Sequence, residues 1–286
     1  MTDVAESNGP VLSAADHAHF REKGYVIVRD AVPAANLRAA LDAIHAFLGG
    51  GRREQWYAPP YSKMGFVPMF HHQALWDNRQ HPRVHRAFAE LFGTEKLWVT
   101  QDQVAIKLPS HPDHPGWGDL YFMHWDCDPR NPPKHLVLQG VLSLTDTAAD
   151  QGGFQCIPGC HRELDRWIAK FAHIKDWKPM KPDFEGIIQG RATQIPTRAG
   201  DLIIWDVRLA HGNCPNRSDR PRYSQYITFM PAREDDEAAR RQRIDIFTKR
   251  ERSGGYGCDE RLWELHHTPP AKLTALGRKI LGLDRW

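Results

Sequence analysis

The sequence predicts a mainly β core, a sandwich or barrel, flanked by helices on both sides. Three observations lead there. Between residues 97 and 231, short β-rich runs alternate with clusters of Gly, Pro, Asn and Asp. Ahead of that segment, apolar residues recur at helical spacing, and behind it a charged, helical texture returns. The chain has 286 residues, is 41% hydrophobic and carries ten Trp and twelve Phe, enough for one sizeable core. It shows no internal repeat.

Taken in order, residues 1–12 read as a loose polar tail. Ser13 followed by Asp16 has the pattern of a capping box, with Asp in place of the usual Glu, and Gly24 should stop the helix it begins. Residues 25–28 (YVIV) read as a buried strand. Pro33 suits the first turn of a second helix, whose stripe is Leu37, Leu41, Ile44 and Leu48 and whose end is Gly49, Gly50 and Gly51. Residues 52–80 read as irregular, rich in aromatics and prolines. His81-Pro82 marks a boundary, followed by a short helix over 83–91. The β runs are 97–108, 136–144, 154–157, 192–196, 202–206 and 223–230, and helical character resumes over 234–249 and 271–281. The whole reads as one domain over 1–286: tail 1–12, helical N-terminal part 13–96, β core 97–231 and helical C-terminal extension 232–286.

Charge and cysteine usage narrow the function. Lys+Arg is 38 and Asp+Glu is 35, a formal charge of +3, with no basic tract beyond Arg240–Arg243. That argues against nucleic acid or an anionic membrane as the main partner. The five Cys, at 127, 156, 160, 214 and 258, are odd in number and scattered, which points to a reducing compartment. The N-terminus lacks a basic and apolar leader, and apolar stretches such as 135–144 fall short of a bilayer span of ~20 residues. A cytoplasmic protein is the expectation. Sixteen His raise the prior for metal chemistry.

The chemistry concentrates in a few residues. In His124-Trp125-Asp126 the first and third side chains would share one strand face. A distal His211 follows the strand at 202–206 and precedes Gly212. Two His and one carboxylate on one face of a metal leave three positions free, the facial triad of non-heme Fe(II) oxygenases. Arg222, eleven residues past His211 (222 − 211), begins another strand and could grip a carboxylate through two parallel hydrogen bonds. Ser224 lies two residues on, on the same face. Asp128 rivals Asp126, and Arg220 rivals Arg222. Cys156, Cys160 and His161 could be read as zinc ligands, but C-x3-C-H lacks a second pair. The pairs His71/His72, His111/His114 and His266/His267 read as loop residues, and His161 as a turn residue.

At this point the chain resembles the phytanoyl-CoA dioxygenase family of Fe(II)/2-oxoglutarate oxygenases, over roughly 16–232. The resemblance is carried by FREKGYVIV at 20–28, by Lys107 and Pro109, by Gln151-Gly152-Gly153, by Ile157-Pro158-Gly159-Cys160-His161, by Gly200-Asp201-Leu202 and by Ala210-His211-Gly212. It implies a double-stranded β-helix (jelly roll, cupin-like) core. It also implies Fe(II) held by His124, Asp126 and His211, and 2-oxoglutarate anchored at Arg222. Asn213 stands where relatives often have Ser and can still donate a hydrogen bond. Gln101, Gln103 and Lys107 share one strand face and resemble the polar residues lining the co-substrate site.

The implied reaction is oxidation, most simply hydroxylation, of an unactivated C–H bond of a small molecule, with O2 consumed and succinate and CO2 released. The carboxylate at Asp126 argues against the halogenase variant of this chemistry. Substrate determinants are expected in two loop-rich segments, 56–76 and 110–121, and Arg130 or Lys134 could meet an acidic group. The competing readings are a non-catalytic jelly-roll binding protein, a nucleic-acid demethylase with the same metal chemistry, and a cupin-type isomerase, which would offer more His ligands. The C-terminal helices could mediate a homo-oligomer or simply cover the core.

Overall fold

The computed structural model describes residues 9–119, 122–171, 191–252 and 258–286. Helix α1 (Ala14–Lys23) begins on the expected capping box, with Ser13 and Asp16 bonded reciprocally, and ends at Gly24 in the left-handed conformation. Strand β1 (Tyr25–Val28) follows, then α2 (Ala34–Phe47), which buries Leu37, Ala40, Ala43, Ile44 and Phe47. The stretch read as irregular holds a short 3-10 turn (Arg53–Gln55) and two further elements the sequence did not announce, β2 (Phe66–Val67) and α3 (Gln73–Arg79). Helix α4 (Pro82–Phe92) carries its proline in the first turn.

The β core contains β3 (Leu97–Val99), β4 (Val104–Lys107), β5 (Phe122–His124), β6 (Leu138–Ser143), β7 (Phe154–Cys156), β8 (Thr193–Gln194), β9 (Leu202–Asp206), β10 (His211–Asn213), β11 (Arg222–Tyr226) and β12 (Phe229–Pro231), with α5 (Leu164–Phe171) between β7 and β8. One antiparallel sheet has the order β1-β9-β6-β11-β4-β2, a second has β5-β10-β7-β8, and β12 pairs with β3. This is a jelly roll, in which sequence-distant strands become neighbours. The C-terminal extension adds α6 (Glu237–Lys249), α7 (Trp263–His267) and α8 (Ala275–Leu281). Among the described residues, no helix is long and apolar enough to cross a membrane.

Period-two alternation splits the core in two. On the larger sheet Val26, Val28, Leu138, Leu142, Leu202 and Ile204 pack into a cluster with α2 and α4. Their neighbours Tyr25, Ile27, Val141, Ile203 and Trp205 turn the other way and meet Met123, Phe154 and Cys156 of the smaller sheet. Arg222, Ser224 and Tyr226 fall on this second, inner face, because Tyr223 joins the helix-side cluster.

The expected run 97–108 is broken. Thr100 N–H donates to the Thr228 carbonyl and Tyr226 N–H to the Gln103 carbonyl, so Gln101 and Asp102 together face Ile227. This β-bulge shifts the register by one residue between the β3/β12 and β4/β11 pairings.

Candidate metal centre

Strands β10 and β5 place His211 directly opposite His124. Asp126 lies just past the end of β5, not within it, so strand alternation alone does not aim its carboxylate. Trp125 between them is buried and donates its indole N–H to the Arg208 carbonyl at 2.9 Å, which turns it away. Asp126 Oδ1 is 3.3 Å from His124 Nε2, and Oδ2 is 3.4 Å from His211 Nε2. The three donor atoms lie within 4.8 Å of one another, and among the described residues no other trio of His, Cys, Asp or Glu is close enough to share a metal ion.

The second nitrogen of His211 is committed. Its Nδ1 sits 2.9 Å from the Leu209 carbonyl, which fixes the ring and turns Nε2 toward Asp126. Trp205 and Phe154 flank the ring, with centroids at 5.0 and 6.0 Å. For Asp126, burial opposes ionisation, but hydrogen bonds from His124 and His211 outweigh it and hold the carboxyl far below the usual range. Gln139 of β6 donates its side-chain N–H to Asp126 Oδ2 at 2.7 Å.

A second polar group runs along the inner face of β11 and β4. Arg222 is only 3% exposed and donates to Asn213 Oδ1 at 3.1 Å, a neutral partner. Asn213 is two residues beyond His211 on the same strand face, and Tyr226 also hydrogen-bonds to it. Arg222 and Lys107 are opposite each other in the ladder. Burial, with the Arg222 charge adding to it, pushes the Lys107 ammonium down to about 8. Ser224 Oγ and both amide atoms of Gln103 are buried without a hydrogen-bond partner. A buried guanidinium and a half-buried ammonium on the same face as unsatisfied donors and acceptors suit a polar dianion.

The rival residues lie elsewhere. Asp128 is forked onto its neighbour Arg130, with contacts at 3.0 Å, so neither of the two is aimed at the centre. Arg220 reaches Gln151 at 3.4 Å. Cys156 and Cys160 are buried in the apolar cluster and burial raises both thiols, Cys160 to about 12, while His161 Nε2 meets the Arg21 carbonyl. Gln101 is a correction: it sits in the bulge, where its amide donates to the Arg243 carbonyl of α6 at 3.0 Å, so it does not share the face of Gln103 and Lys107.

The two expected substrate segments are partly core. Trp56, Tyr61 and Trp117 belong to the helix-side cluster. Tyr57 stacks on His114 at 4.6 Å and donates to the Pro109 carbonyl, joining the two segments to each other. Phe66 of β2 instead reaches the inner face, 6.0 Å from the Tyr226 ring. Residues 120 and 121 lie outside the described residues. Tyr226 and Gln139 were not singled out from sequence. Tyr226 shares the period-two face of Arg222 and Ser224, and Gln139 is a polar residue inside an otherwise apolar strand run.

The family model described as phytanoyl-CoA dioxygenase matches residues 20–224. A curated relative, Ava biosynthesis cluster protein O of Aspergillus versicolor, is 26% identical over 241 residues, covering 75% of this chain and 76% of that protein. The match spans 58% and 50% of the length of two further curated relatives. Among solved structures, a hypothetical protein JW0805 from Escherichia coli has a TM-score of 0.70 at 15% identity, covering 95% of this chain and 82% of that one. The epimerase SnoN, in complex with Fe3+, alpha ketoglutarate and nogalamycin RO, has a TM-score of 0.52 at 19% identity, covering 76% and 83%. Both likenesses show the shared fold.

Proposed function

Since the chain belongs to the phytanoyl-CoA dioxygenase family, we propose that it is an Fe(II)- and 2-oxoglutarate-dependent dioxygenase that oxidises, by hydroxylation, an unactivated C–H bond of a small organic molecule. The observation that carries this reading is the trio His124, Asp126 and His211, with all three donor atoms within 4.8 Å. Two imidazoles and one carboxylate are the donor set of a three-ligand ferrous site. The bound ferrous ion and 2-oxoglutarate would supply O2 activation coupled to release of succinate and CO2.

The protein's own residues supply binding and orientation. His124 and His211 would ligate through Nε2 and Asp126 through one carboxylate oxygen. Arg222 would take the far carboxylate of 2-oxoglutarate, with Lys107 adding charge and Ser224 and Gln103 hydrogen bonds, which would satisfy groups that are otherwise buried without partners. Asn213 and Tyr226 would hold the guanidinium in place. Phe66, against Tyr226, would give the substrate side an apolar wall.

The test is direct. Purified protein with Fe(II), O2 and 2-oxoglutarate should form succinate, and His124→Ala should not. A wild-type protein that binds neither Fe(II) nor 2-oxoglutarate would instead favour the non-catalytic binding protein.

A further inference from the structure

The geometry points to Gln139 as a positioning residue that fixes which carboxylate oxygen Asp126 presents to the metal. This deepens the proposed function and rests on it. Asp126 needs such a holder: it lies on a turn beyond β5, its side chain is 38% exposed, and no strand pairing restrains it. Gln139 comes from the opposite sheet, as the second residue of β6. An ionised carboxylate only accepts hydrogen bonds, so the amide nitrogen of Gln139 must face it, and the contact with Oδ2 is short at 2.7 Å. Each oxygen faces one imidazole, Oδ1 at 3.3 Å from His124 Nε2 and Oδ2 at 3.4 Å from His211 Nε2, so the Gln139 bond on Oδ2 is what sets them apart and leaves Oδ1 as the oxygen to ligate.

The other end of the same amide supports a role outside folding. Gln139 Oε1 is buried without a hydrogen-bond partner. A buried amide oxygen left unsatisfied costs stability, and an apolar side chain of the same length would fit an inner face already lined by Val141, Ile203 and Trp205. Such a residue is explained by what its satisfied end does. Outer partners of metal ligands typically change metal affinity or activity 10- to 100-fold when lost.

The experiment is a titration with Co(II), which reports on the site without turnover. Gln139→Leu should weaken Co(II) binding by about 10- to 100-fold and alter the visible Co(II) spectrum, while the melting temperature of the metal-free protein stays the same or rises. Gln139→Met serves as a second variant should the leucine fail to fold. In an Asp126→Ala background the same Gln139 substitution should change Co(II) affinity no further, since the effect passes through Asp126. With Asp126 intact, a Gln139→Leu affinity within twofold of wild type overturns the inference, and so does a loss of equal size whether or not Asp126 is present. A wild-type protein that binds no Co(II) overturns the metal reading itself, which is a separate outcome.

Discussion

Replacing Arg222 by Met separates binding from folding in a single side chain. The guanidinium is 3% exposed, its hydrogen-bond partner is the neutral Asn213, and Lys107 lies opposite it in the ladder. Burial depresses both cations, and the Arg222 charge adds to the shift at Lys107. In the absence of a dianion this arrangement works against the fold, so an apolar residue of similar length should leave the melting temperature unchanged or raised. With 2-oxoglutarate the sign reverses. Truncating one partner of a buried, hydrogen-bonded charge pair costs ~2–5 kcal/mol, or ~30- to 5,000-fold in affinity. Lys107 remains in the variant, which places the expected loss toward the lower end of that range.

Thermal shift on the Co(II)-loaded protein, without O2, reads both quantities. At a 2-oxoglutarate concentration of ~100 Kd, wild type should gain ~2.7 kcal/mol. The variant at the same concentration, its affinity ~30-fold weaker, should gain no more than ~0.9 kcal/mol, with Co(II) affinity unchanged. A large fall in melting temperature with 2-oxoglutarate affinity within threefold of wild type would refute the reasoning and make Arg222 a structural cation.

Two further outcomes follow from the same charges. Because Lys107 is pushed down to about 8 from an ordinary value near 10.5, 2-oxoglutarate affinity should fall as pH rises through about 8, and Lys107→Gln should flatten that limb in a binding titration. The linked stability has the opposite slope: the unfolded chain holds the extra proton between about 8 and 10.5, so global stability should rise with pH across that window and lose this rise in Lys107→Gln. Glu264→Ala should cost ~3–5 kcal/mol in urea melts, since the buried carboxylate accepts from the Phe70 and His71 backbone N–H groups at 2.7 Å each, and these would be left unsatisfied.

The legible parts of the site are those where residue type carries the chemistry. Imidazole, carboxylate and guanidinium have few uses at such positions, so His124, Asp126, His211 and Arg222 stand out before any coordinates. The geometric argument for them was less sound than the choice of residues. Strand alternation paired His124 with Asp126, yet β5 ends at His124 and the carboxylate is aimed by a turn and by Gln139. Helix α3 was hidden for a different reason. Its buried face includes Asn78 and Arg79, which donate to Gln225 and to the Phe70 carbonyl, so the apolar stripe that marks a helix is interrupted by polar residues satisfied through tertiary contacts. Two-residue strands such as β2 and β8 have no period to read at all.

The bulge at Gln101-Asp102 links the C-terminal extension to the site. Gln101 donates to the Arg243 carbonyl, Arg243 returns a bond to the Val99 carbonyl, and Arg79 donates to the Asp102 carbonyl. Each of these bonds falls on the stretch where the register shifts by one residue. Without that shift, the side-chain alternation set by β3 would carry on into β4 and exchange its two faces, sending Val104 and Ile106 inward and Gln103 and Lys107 outward. The inner face of β4 would then lose its buried amide and its cation, and Arg222 would face an apolar neighbour. Helices α3 and α6 therefore do more than cover the core: by satisfying the backbone at the bulge, they hold the register that keeps Gln103 and Lys107 on the inner face with Arg222.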